Sequence, residues 1–170
     1  MKPLKRPVRR SLLVAHVAVS VSWLGLTVGL LSLGLTAFLT HDATMAQAAT
    51  SAMKVFGDWL VVPVALISLL SGLLLALGTP WGLARHRWVW TKFWLTLITA
   101  GLSIFSLRPG INEAAARGAT DIDLVIAPSV AAATYLFITA ISVLKPWGPT
   151  RRGRRLRKAR EIARQPVGHQ

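Results

Sequence analysis

The sequence predicts an all-α fold: a polytopic membrane protein built as an antiparallel bundle of four transmembrane helices. Two observations carry that expectation. Hydrophobic residues make up 53% of the chain, yet its formal net charge is +14. The two classes are also segregated, with apolar runs in the middle and charges crowded at the ends, whereas a soluble domain interleaves them.

The first apolar stretch, 12–40, reads LLVAHVAVSVSWLGLTVGLLSLGLTAFLT and contains no Asp, Glu, Lys or Arg. At about 1.5 Å per residue it outlasts the roughly 30 Å hydrocarbon core of a bilayer. It is also about twice as long as the apolar region of a signal peptide, so it reads as an uncleaved span even though Ala46-Gln47-Ala48 resembles a cleavage site. Further spans follow at 59–79, 89–107 and 124–144. Pro63 and Pro128 fall near the expected starts of two of them, where a missing N–H costs least. Tryptophans 59, 81, 88, 90 and 147 lie at span ends, where amphipathic rings favour the headgroup region. The chain thus divides into a basic N-terminus (1–11), a four-helix transmembrane region (12–145) and a basic tail (146–170).

Charge sets the expected orientation. Lys2, Lys5, Arg6, Arg9, Arg10, Arg85, Arg87, Lys145 and the tail fall on one side. Lys54, Arg108 and Arg117 share the other with Asp42, Asp58, Glu113, Asp121 and Asp123. The positive-inside rule then puts both termini in the cytoplasm. The tail RRGRRLRKAREIAR carries eight cationic residues and one Glu, with no aromatic residue to stack on bases. That composition favours anionic lipid at the bilayer surface over nucleic acid.

The chain has no cysteine, which excludes disulfides, thiolate metal sites and Cys nucleophiles. No serine–histidine–acid set, phosphate-binding glycine loop or zincin motif is present. His41, Asp42, Met45, Met53, Asp58, Asp121 and Asp123 include copper-type and harder-ion ligands, but without tight ligand spacing they read as solvated loop residues.

Polar residues inside the spans are more informative. In the first span, Ala18, Ser22, Gly25, Gly29 and Ser32 form a small-residue face that includes G-x-x-x-G, a surface for close helix packing or self-association. His16, Ser20, Trp23 and Thr27 form a second face, and a helix with two such faces is expected to touch two neighbours. In the third span Lys92 shares a face with Trp88, Thr99, Ser103 and Ser106, and the fourth carries Pro128, Ala132, Tyr135, Thr139 and Ser142. His16 lies about 9 Å along a helix from Arg10, and Lys92 about 7.5 Å from Arg87. Both are therefore expected at similar depth on the cytoplasmic side. Each could simply snorkel or bond a carbonyl; together they offer an imidazole ligand beside a cation able to hold an acidic group.

HVAVSVSWLG (His16 to Gly25) resembles the first-helix signature H-x(5–6)-W-x-G of a loose group of bacterial membrane proteins. That group includes CopD-type copper-resistance proteins and HemJ-type protoporphyrinogen oxidases. The third-helix W-x-x-K-F-x-L-T of Trp88 to Thr96 is similar to the matching element. Residues 10–155, including VLKPWGPTRRGRR, also resemble a family of small four-helix membrane proteins of unknown function common in actinobacteria. The resemblance implies a bacterial plasma membrane location, His16 as a haem b ligand with Trp23 nearby, and Lys92 as a neighbouring functional residue. The histidine found farther along the third helix of HemJ-type enzymes is missing here. Two further expectations remain open: an accessory membrane protein without cofactor, associating through Gly25 and Gly29, and a copper or small-solute transport component.

Overall fold

The computed structural model describes residues 5–78, 86–117, 121–144, 147–151 and 154–155. Lys2, Trp81, Arg85, Lys145 and most of the basic tail lie outside the described residues.

Within them the chain is helical, with no strand beyond one isolated bridge between His86 and Pro149. The elements are α1 (Arg6–Leu39), α2 (Ala43–Phe56), a π turn (Gly57–Val61), α3 (Val62–Gly78), α4 (Arg87–Leu102), a second π turn (Ser103–Leu107), α5 (Arg108–Arg117) and α6 (Asp123–Leu144). The π turns interrupt no helix. Ala43–Gly78 and Arg87–Arg117 each run through, so four helices are long and apolar enough to cross a membrane.

Two segments expected as loops are therefore helical. Residues 40–58 become a three-residue corner (40–42), α2, whose ATMAQAATSAMKVF is rich in good helix formers, and the start of the first π turn. Asp42 caps it by accepting from the Thr44 and Met45 backbone N–H groups at 2.8 and 3.4 Å. The acidic connection before the fourth span is largely taken up by α5.

Proline explains the π turns. A proline lacks an N–H, and its ring crowds the carbonyl four residues earlier. Pro63 and Pro109 each follow a π turn by two residues, so the crowded carbonyls are those of Trp59 and Phe105, inside the turns. A locally wider helix accommodates that conflict without breaking. Pro63 thus sits well inside a long helix, not at the start of one. The second π turn also shifts the helical phase: Leu107 is buried after Ser103, and Ser106 faces out.

α1 packs against α2, α3 and α6, while α4 packs against α3 and α6. Two cores result. Near the α2–α5 end, Leu30, Met53, Val61, Leu107, Ile111, Ala114 and Leu124 cluster. Farther along, Trp23, Ala65, Ala100, Ala131 and Tyr135 form a second layer, in which three alanines bring the helices around one aromatic pair. The opposite surface is strongly apolar. On α1, Val14, Val21, Val28 and Leu35 recur every two turns and are all exposed, a surface that suits lipid.

Among the described glycines, the tightest surroundings are at Gly34. A Cβ on Gly34 would collide with the Leu124 carbonyl oxygen and stand 3.0 Å from its carbon. Pro128, four residues beyond Leu124, has no N–H to donate to that carbonyl, which is therefore left to face α1.

Candidate functional site

The polar side chains at the α1–α3 contact come from a small-residue stripe on α3. Ser68, Ser71 and Gly72 share a helical face and let α1 approach. His16 Nδ1 lies 2.9 Å from Ser71 Oγ, and Ser20 Oγ lies 3.1 Å from Ser68 Oγ. As the numbers rise on α1 they fall on α3. The imidazole rests against Gly72, where a Cβ would stand 3.0 Å from His16 Cε1.

Lys92 comes from α4, the next helix round. Its Nζ lies 6.0 Å from the Trp88 ring centroid, a cation–π contact. It is half-buried and within electrostatic reach of His16. Lys92 makes no ion pair among the described residues, whose salt bridges all belong to Lys54, Arg108 and Arg117. An ammonium on an apolar helix, without an acidic side chain beside it, leaves room for an anionic group from elsewhere.

Trp23 is 3% exposed and packs on Tyr135, with ring centroids 4.5 Å apart and planes tilted by 44°. It stands seven residues, or about 10 Å, along α1 from His16. This pair belongs to the alanine-rich layer. Tyr135 Oη is buried with no partner at hydrogen-bond distance among the described residues; Ser103, whose hydroxyl donates to the Thr99 carbonyl at 2.9 Å, is its polar neighbour. Thr139, expected on the same inward stripe as Tyr135, faces out.

The small-residue face of α1 is placed differently from the His16 face. Gly25 is exposed with nothing within 4 Å of a built Cβ, and a Cβ on Gly29 would meet only the Phe56 ring, at 3.5 Å. Ser22 and Ser32 are exposed and bond their own helix carbonyls at Ala18 and Val28. The buried or half-buried sector of α1 instead contains His16, Ser20, Trp23, Thr27, Leu30 and Gly34.

At the other end, Asp58 accepts from Lys54 at 2.8 Å and from Arg108 Nε at 2.9 Å. Asn112 joins by accepting from Lys54 at 2.7 Å. Arg117 pairs with Glu113. Met53, read as a loop residue, is fully buried in the core. No group of three or more His, Asp or Glu capable of holding a metal occurs among the described residues.

Sequence reasoning missed Ser68, Ser71 and Gly72, although S-x-x-S-G in an apolar helix is the spacing that would have pointed to them. No protein-family model matches the chain, and neither the curated proteins nor the solved structures provide a match.

Proposed function

We propose that this chain is an integral protein of a bacterial plasma membrane, folded as an antiparallel four-helix bundle with both termini in the cytoplasm. Its functional centre is an intramembrane ligand site formed by His16 and Lys92, and haem b is the ligand that the sequence resemblance implies. The observation that carries this reading is the presence of two ionisable side chains on apolar helices that both pack on α3: an imidazole held through one ring nitrogen, and an ammonium with no acidic partner among the described residues. Side chains of this kind are expensive in hydrocarbon and mark binding sites.

The donor set fits the group. His16 would supply imidazole nitrogen to the iron, and Lys92 a counter-charge to a propionate. Bound haem b supplies one-electron redox chemistry. The chain's own part is to hold the imidazole oriented, to keep one cation near it, and to exclude water with the apolar faces of α1, α3 and α4. The basic inner end favours anionic lipid.

Absorbance of purified protein tests the site. A Soret band lost in His16→Ala and retained in His41→Ala supports it, and a colourless protein after expression with added haem precursor contradicts it.

A second reading, an accessory protein that associates through α1 without a cofactor, is favoured by one observation: Gly25 is open to an incoming helix. Crosslinking between copies that is abolished by Gly25→Leu with Gly29→Leu supports this reading, and crosslinking unchanged by the two substitutions removes it.

A further inference from the structure

The hydrogen-bond directions around Ser71 determine which nitrogen of His16 carries the proton. A serine hydroxyl has one hydrogen to give. Ser71 Oγ lies 2.7 Å from the Ile67 carbonyl and 3.1 Å from the Ser68 carbonyl, both of which can only accept. Given to either carbonyl, that hydrogen leaves the hydroxyl presenting a lone pair to His16 Nδ1, 2.9 Å away. In that arrangement Nδ1 is the donor. In a neutral imidazole the other nitrogen, Nε2, keeps its lone pair, and no described group makes a hydrogen bond to it.

We infer that Ser71 is a positioning residue: it fixes His16 as the Nδ1–H tautomer and so presents the bare Nε2 as the ligating atom. Gly72 completes the arrangement. A Cβ there would stand 3.0 Å from Cε1 and 3.6 Å from each ring nitrogen, so glycine lets the Cε1 side of the ring approach α3 without crowding. A hydrogen bond to the non-ligating nitrogen is the common device by which proteins orient imidazole ligands. The Ser20–Ser68 bond joins the same two helices one turn away, so removing the Ser71 hydroxyl leaves their contact in place. Presentation of Nε2 to iron rests on the haem reading above; the tautomer does not.

Nitrogen-15 NMR of the full chain in lipid nanodiscs, labelled at histidine and without haem, separates the two. The spectrum is recorded at alkaline pH, where a free imidazole is neutral, and His16 is assigned by its loss in His16→Gln. The expected native spectrum has the directly bonded proton on Nδ1 and none on Nε2. Ser71→Ala is expected to lose the Nδ1–H signal, and Ser71→Thr, which keeps the hydroxyl, to restore it. A proton on Nε2 in the native protein overturns the inference, as does an unchanged Nδ1–H signal in Ser71→Ala. The native spectrum decides even if the alanine variant fails to fold. A protein with the Nδ1–H tautomer that takes up no haem would support this inference and defeat the haem reading.

Discussion

Replacing Gly34 with alanine tests the packing of α1 on α6. The added Cβ would collide with the Leu124 carbonyl oxygen and stand 3.0 Å from the carbonyl carbon. Backbone cannot move aside by changing rotamer, so the helices must separate or slide. Overpacking of this kind costs about 3 kcal/mol at the upper end of its usual range. Alanine returns about 1 kcal/mol through its higher helix propensity. The net loss is about 2 kcal/mol, on the order of 30-fold in the folded-to-unfolded ratio. Gly25→Ala is the matched control: nothing lies within 4 Å of its Cβ, so only the propensity gain remains. Equilibrium unfolding in mixed micelles compares the two variants with the parent. A Gly34→Ala protein as stable as Gly25→Ala would refute the close approach at Leu124.

Two other outcomes follow from charge. Asp58→Asn removes the carboxylate shared by Lys54 and Arg108, so the thermal midpoint should fall slightly, by an amount that shrinks as salt is raised; a salt-independent change would count against an ionic origin. Reporter fusions should read cytoplasmic at both termini and extracytoplasmic at the 40–42 corner, whereas the inverse pattern would overturn the proposed orientation.

The sequence made the four long apolar helices legible because each span must satisfy its backbone internally, and the composition records that requirement. It was less informative where proline changes a helix without ending it. Pro63 looks like a start signal, yet the helix behind it runs back to Ala43 through a π turn. The same effect after Ser103 displaced Ser106 from the inward stripe, because regular helical spacing cannot anticipate a wider turn. G-x-x-x-G pointed to Gly25 and Gly29, whereas the glycine at the tightest contact is Gly34. The reason lies in α6: Pro128 leaves the Leu124 carbonyl without its helical donor, a dependence on another element that no local motif records. His16 and Lys92 stood out as ionisable groups among apolar residues, but Ser71 and Gly72 did not, since single small residues in an apolar helix are common.

If α1 turns His16 inward within a bilayer, single-cysteine labelling reads it directly, because the chain has no cysteine of its own. Spin labels at single cysteines introduced at positions 14, 16, 17, 20, 21, 23 and 28 can be probed for collision with oxygen dissolved in the lipid. Labels at 14, 17, 21 and 28 should collide freely, and those at 16, 20 and 23 should be shielded, following the exposure pattern along the helix. A label at 16 as accessible as those at 14 and 17 would place the imidazole in lipid and contradict the account.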